Sequence, residues 1–173
     1  MAGPSNPKSL SERTRLVLGG RKPADQFGFV NTPIYRGSTV LYPTYDELKA
    51  RRQKYVYGTR GTPTTRALEE AWADISGAAG AGLVPSGLAP LVVALQSCLK
   101  AGDHMLVTDS VYRPTREYSN NVLKKFGVET TYYDPTIGAG IADLMRPNTT
   151  VVFTEAPGSQ SFEMQDIPAI AEV

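Results

Sequence analysis

The sequence is poor in the residues that build disulfides and metal centres. Its 173 residues hold one cysteine, Cys98, and one histidine, His104. A single thiol closes no internal disulfide, which suits a reducing compartment. One thiol and one imidazole do not make the usual nitrogen and sulfur ligand set, so no metal is expected. Long apolar runs are also missing, and none nears the roughly 20 residues that cross a bilayer. Met1 to Pro7 lack the apolar stretch of a secretory signal. Excess charge is absent, with 18 Lys+Arg against 17 Asp+Glu. Lys/Arg blocks do not go beyond pairs such as Arg51-Arg52 and Lys124-Lys125, so neither nucleic acid nor membrane is an expected partner. With 41% hydrophobic and 20% charged residues, the composition fits a soluble, cytoplasmic globular protein with a sizeable core.

Two regimes follow along the chain. Residues 1–62 have little strand–helix rhythm: one helix is expected over Ser9 to Leu18, stopped by Gly19-Gly20. Beyond it Pro23, Pro33 and Pro43 punctuate an extended path, so this part reads as an arm wrapping something else. From Pro63 the rhythm changes. Leu68, Ala71, Trp72 and Ile75 recur at helical spacing on one face, closed by Gly77. Helices are expected over Ala89 to Lys100 and Pro114 to Phe126, each with lysine in its last turn and glycine beyond. Strands are expected at Ala81 to Val84, Met105 to Thr108, Val128 to Tyr133 and Thr150 to Thr154. This alternation predicts an α/β domain on a mostly parallel sheet. Asp166 reads as the N-cap of a last helix over Ala169 to Val173, so short that the chain reads as truncated within an element.

Ligands of such sheets bind at the carboxyl ends of the strands. Three loops there are candidates. Pro85-Ser86-Gly87-Leu88-Ala89 opens a helix; its free amides and the helix dipole make an anion site, or Ser86 is simply a cap and Gly87 a packing residue. There is no G-x-x-x-x-G-K-[ST] pattern, so this is not a nucleoside-triphosphate loop. Asp109-Ser110-Val111-Tyr112-Arg113-Pro114 puts Tyr112 at a strand end, either to stack on a flat ring or to pack on a neighbouring loop. Glu155-Ala156-Pro157-Gly158-Ser159 turns sharply after a strand. Glu155 there reads as a capping or loop residue more readily than as a positioned carboxylate. Upstream, Tyr57 and Arg60 in Tyr55 to Thr64 make a candidate phosphate clamp, or a plain loop with a solvated arginine. Cys98, inside a helix pattern, reads as a core residue.

The order of these segments carries a resemblance. Val30-Asn31-Thr32-Pro33-Ile34-Tyr35-Arg36-Gly37-Ser38-Thr39, Tyr57-Gly58-Thr59-Arg60-Gly61-Thr62-Pro63-Thr64 and Pro85-Ser86-Gly87-Leu88-Ala89 together resemble the Cys/Met-metabolism enzymes that use pyridoxal 5'-phosphate (PLP). So do Gly102-Asp103-His104, Tyr112-Arg113-Pro114-Thr115 and Glu155-Ala156-Pro157-Gly158-Ser159. The stretch Tyr133-Asp134-Pro135-Thr136-Ile137-Gly138-Ala139 looks most like the bacterial cystathionine β-lyase branch.

The resemblance implies an aspartate-aminotransferase-like (type I) fold. Residues 1–62 would be an arm or dimerisation segment, and residues 63–173 an incomplete PLP-binding domain with helices on both faces of its sheet. It implies that Ser86, Gly87 and Leu88 hold the cofactor phosphate and that Tyr112 stacks on the ring. Tyr57 would reach the phosphate of a neighbouring subunit in a homo-oligomer, a dimer or tetramer, and assist proton transfer there. Thr59 stands where the family has arginine, with Arg60 beside it as a substitute. Ser159 stands where asparagine is frequent. The family's lysine that attaches the cofactor falls beyond Val173, so this chain alone is expected to be inactive. The implied activity is cleavage of cystathionine to homocysteine, pyruvate and ammonia. A γ-lyase, a γ-synthase, or a non-catalytic fragment that only joins a partner subunit are the alternatives.

Overall fold

A computed structural model describes residues 10–173; Met1 to Pro7 and the expected helix start at Ser9 lie outside them. The chain forms two compact units that divide between Leu83 and Val84.

In the first unit, helix α1 (Glu12–Leu18) begins at Ser11, whose hydroxyl accepts from the Thr14 amide at 3.3 Å, and ends at Gly19. A second helix, α2 (Tyr45–Ala50), lies where no helix was expected. Its signal is the Thr44-x-x-Glu47 pattern: Thr44 caps the Glu47 amide at 3.2 Å, with Asp46 and Glu47 in the first turn. Helix α3 (Pro63–Ser76) opens on a reciprocal cap. Thr62 accepts from the Thr65 amide, Thr65 accepts from the Thr62 amide, and Gly77 closes the helix at φ 68°. Its apolar stripe is present but not covered, since Leu68 is 53% and Trp72 65% exposed. The chain of α1 instead meets α3 on its small residues, Gly19 lying against Ala71 and Gly20 against Ala67. Arg15 pairs with Asp74 and Lys22 with Glu70 across the same contact.

Residues 81–84 form no strand. A strand exists only through a hydrogen-bonded neighbour, and among the described residues this apolar run finds no strand partner; the Leu83 amide donates to Glu69 Oε1 at 3.3 Å instead.

The second unit begins with α4 (Leu88–Cys98), followed by strand β1 (His104–Thr108), helix α5 (Arg113–Asn121), β2 (Glu129–Tyr133), β3 (Thr149–Phe153) and α6 (Ile167–Glu172). The three strands are parallel in the order β2-β1-β3. Met105 lies opposite Thr130 and Val151, and Val107 opposite Tyr132 and Phe153. β1 is central and every residue of it is buried.

Alternation along β1 feeds two cores. Met105 and Val107 pack with Leu95, Val111, Leu123 and Val128 on the face covered by α4 and α5. Leu106 packs with Tyr133, Ile141 and Ile170 on the other. Helices therefore lie on both faces, as expected. Each such burial contributes about 1.5–3 kcal/mol.

Three expectations need correction. The predicted helix over Pro114 to Phe126 breaks at Val122 and continues as a 3-10 turn over Leu123–Phe126. Ser119, Asn120 and Asn121 precede the break, and such side chains compete for backbone bonds, as the Ser119 hydroxyl does by donating to the Thr115 carbonyl at 2.9 Å. Cys98 is exposed rather than in the core. Its helix buries only Leu95. The last helix starts earlier than expected, at Ile167, although Asp166 is its cap, accepting from the Ala169 amide at 3.1 Å.

Candidate functional site

The connection from β1 leads out to β2 on one side, and the chain then returns to β3 on the other. The crevice between the carboxyl ends of β1 and β3 is therefore the switch point of the sheet, where open α/β folds receive ligands. Two of the three candidate loops meet there.

The loop after β1 starts at Asp109, whose amide donates to the Tyr133 carbonyl at 2.8 Å. Arg116 braces the same residue by donating to its carbonyl and to Oδ1, both at 2.6 Å, while lying 3.9 Å over the Tyr132 ring. Tyr112 is the N-cap residue of α5, with φ −47° and ψ 126°, and is 45% exposed. Pro114 in the first helical turn fixes the direction in which α5 leaves.

The loop after β3 closes onto it. The Ser159 amide donates to the Ser110 carbonyl at 3.0 Å. Gly158 lies so close to Ser110 that a Cβ there would fall 2.5 Å from Ser110 Cβ. Glu155 is half-buried, and its Oε2 accepts from the Tyr112 amide at 3.1 Å. Its Oε1 accepts from the Ser159 hydroxyl. Its carbonyl accepts from Gln165 Nε2 at 2.7 Å, and Gln165 Oε1 accepts from the Tyr133 hydroxyl at 2.8 Å. Burial pushes the Tyr133 phenol up to about 12, so it remains a neutral donor. Glu155 thus ties two loops together, where the sequence favoured a plain capping or loop role. The Glu-x-x-x-Ser spacing directly after a strand was the available signal.

The third loop opens α4. The Ser86 hydroxyl accepts from the Ala89 amide at 3.3 Å, the capping role that the sequence left open. The amides of Gly87 and Leu88 have no acceptor among the described residues. Open space surrounds Gly87, where a Cβ would meet nothing within 4 Å. Five residues join α4 to β1, and an 11-residue helix and a 5-residue strand both span about 16–17 Å. Leu95 of α4 packs on β1. α4 therefore runs back along β1, with its start at the carboxyl end of the sheet, the end that carries Tyr112.

Tyr57 and Arg60 belong to the first unit. Tyr57 bridges Thr39 in an antiparallel pair and is 44% exposed. Gly58 follows, its amide donating to the Ser38 carbonyl at 2.6 Å. A side chain at Gly58 has no room, because the Gly37 carbonyl occupies its place. Arg60 is exposed in the 3-10 turn Gly58–Arg60 and has no carboxylate partner among the described residues.

His104 lies at the opposite end of the sheet. Buried at the start of β1, it bonds Thr149 of β3 through Nδ1 at 2.8 Å and Thr131 of β2 through Nε2 at 2.9 Å. Burial and the nearby Arg146 hold its pKa below the ordinary value. It is a neutral clasp across three strands. Among the described residues no group of three His, Cys, Asp or Glu side chains is placed to hold a metal, and no helix is long and apolar enough to cross a membrane.

Comparison with known proteins decides the family. The model of the Cys/Met metabolism PLP-dependent enzymes matches residues 13–173. The chain belongs to this family. Among curated relatives, a provisionally named cystathionine beta-lyase of Rhizobium johnstonii is 56% identical over 160 residues, covering 92% of this chain and 40% of the relative. The cystathionine beta-lyase of Salmonella typhimurium is 38% identical over 162 residues, covering 91% of this chain and 41% of its own length. Among solved structures, cystathionine gamma-lyase from Lactobacillus plantarum, complexed with L-serine, superposes with a TM-score of 0.85 at 28% identity, over 94% of this chain and 41% of that one. The chain spans about 40% of the length of these proteins.

The residues present fit the family's cofactor. A phosphate needs unpaired donors at a positive helix end with no side chain in the way, which is the state of Gly87 and Leu88. A pyridine ring needs an exposed aromatic face nearby, which Tyr112 offers.

Proposed function

We propose that the protein carrying this chain is a PLP-dependent carbon–sulfur lyase that cleaves cystathionine to homocysteine, pyruvate and ammonia. The observation that supports it best is the pair of amides at Gly87 and Leu88, which have no acceptor among the described residues and lie at the same end of the sheet as the half-exposed Tyr112. Bound PLP supplies an electron sink for the pair left when the α-proton is removed, so that sulfur can depart from the β-carbon.

The protein residues bind and orient. Gly87 and Leu88 donate to phosphate oxygens, and Ser86 keeps the helix start in shape through Ala89. Tyr112 covers one face of the ring and keeps water from it. Tyr57 serves a neighbouring subunit's site in a homo-oligomer, holding phosphate and moving a proton at its phenol oxygen. Arg60, which has no carboxylate partner among the described residues, supplies the cation that Thr59 does not. Residues 1–62 are then the embracing arm and residues 63–173 part of the cofactor domain.

Gly87→Val tests the phosphate assignment cleanly. The site has space for a side chain and a φ of −64°, so the fold should tolerate the change. PLP occupancy of the gene's full product should fall, at unchanged denaturation midpoint. Normal occupancy would remove Gly87 from the cofactor site.

Similarity to the Lactobacillus plantarum γ-lyase supports a second reading, γ-cleavage on the same scaffold. The keto acid released from cystathionine separates them: pyruvate for β-cleavage, 2-oxobutyrate for γ-cleavage.

A further inference from the structure

We propose that Glu155 is a positioning residue for the cofactor site, setting the Tyr112 ring and the Ser159 hydroxyl at once. This rests on the reading of Tyr112 as the stacking residue.

The carboxylate stands between the two loops and divides its oxygens between them. Oε2 takes the Tyr112 amide at 3.1 Å, and Oε1 takes the Ser159 hydroxyl. Tyr112 is the residue at which the chain turns from loop into α5, so a fixed amide direction, together with its φ of −47°, sets how its Cα–Cβ bond leaves. A bond from a carboxylate to a backbone amide is about twice as strong as a neutral one. Among the described residues no arginine or lysine is paired with Glu155, and its two oxygens go to these two donors.

The carboxylate is itself held from behind. Its backbone carbonyl takes Gln165 Nε2, and Gln165 Oε1 takes the Tyr133 hydroxyl from the end of β2. Gln165 and Tyr133 are both buried. The Ser159 amide and the Gly158 contact lock the same loop onto Ser110. The tie thus runs from β2 through Gln165 and Glu155 to Tyr112, so the backbone that carries the ring is held by all three strands.

The arrangement also sets the polarity of Ser159. Its one proton is given to Glu155, so toward a ligand its oxygen can only accept while that bond persists. An asparagine amide could donate there. Ser159 with Glu155 therefore favours a ligand group that carries a proton.

Four variants test this in two measurements. The first is hydrogen exchange at the Tyr112 amide in the cofactor-free protein, at unchanged denaturation midpoint. Glu155→Ala should raise the exchange rate at least tenfold. Glu155→Gln, whose side-chain carbonyl can still accept, should restore most of the protection. The second is PLP retention and the circular dichroism of bound PLP in the gene's full product. Glu155→Ala should weaken retention several-fold and change the band, Glu155→Gln should largely rescue both, and Glu155→Ala with Tyr112→Ala should lose less than the two single losses multiplied together. Unchanged exchange in Glu155→Ala, or losses that multiply fully in the double variant, would overturn the positioning role. Unchanged retention in Tyr112→Ala would instead sink the stacking assignment, and the exchange measurement would still decide whether Glu155 sets that amide.

Discussion

Gly158→Ala should destabilise the second unit through one contact that can be isolated. The added Cβ would lie 2.5 Å from both Ser110 Cβ and Ser110 Oγ, well inside van der Waals contact. Backbone strain is not involved, since Gly158 is not among the glycines with positive φ. The neighbour cannot swing away: Ser110 is buried, its Oγ is 3.0 Å from Thr108 Oγ1, and its carbonyl accepts the Ser159 amide. Forcing a methyl group into such packing costs about 1–3 kcal/mol. Removing the obstacle should remove most of that cost. In Ser110→Gly both clashing atoms are gone, and the next atom, Ser110 O, is 3.4 Å away, an ordinary contact. Ser110→Gly has its own cost, from chain entropy and the lost hydroxyl, so the coupling must be read from a double-mutant cycle. Urea unfolding of the four proteins, followed by tyrosine fluorescence, should give a coupling of about 1–2 kcal/mol in favour of the double variant. A Gly158→Ala protein within about 0.3 kcal/mol of wild type, or effects that simply add, would refute the close approach of the two loops.

Two further outcomes follow from the opposite end of the sheet. His104 has a folded-state pKa below its unfolded value, near 6.5, so the unfolded chain takes up the proton first as pH falls. Its stabilising effect is complete above about pH 6.5 and is lost as pH drops toward the folded pKa, at no more than about 1.4 kcal/mol per pH unit. Urea unfolding at pH 7.5 and 5.5 should show this decline in wild type and a smaller one in His104→Gln; equal declines would remove His104 as the cause. Lys100 precedes β1, and Lys124 and Lys125 precede β2, so all three lie at the amino ends of the strands, away from Tyr112. Borohydride reduction after incubation with PLP should therefore leave no stoichiometric pyridoxyl-lysine at these positions. Full occupancy of any one by mass spectrometry would place the cofactor at the wrong end of the sheet.

What could be read from the sequence is local and periodic. The alternation of apolar runs with Gly-stopped helices gave the α/β class, and three of four strands were located to within a residue or so. The cap that Asp166 sets before the last helix was equally visible because its chemistry lies within four residues. The break at Val122 was missed because propensity at Ser119 to Asn121 outweighed a continuing apolar pattern. Residues 81–84 look like a strand by composition, but a strand needs a partner that composition does not name.

The tertiary structure alone decided the relations between distant residues. Cys98 sits in an apolar helix pattern, and only the packing of α4 shows that Leu95 takes the buried side and Cys98 the exposed one. His104 is a lone histidine in the chain; its meaning comes from Thr131 and Thr149, which parallel pairing brings to its two ring nitrogens. Glu155 is 43 residues from Tyr112, and the strand order β2-β1-β3 is what puts β3 beside β1 and joins them. A sequence encodes its short-range bonds in neighbouring letters. Long-range bonds are set by strand order and register, which follow from burying two faces of one central strand rather than from any motif.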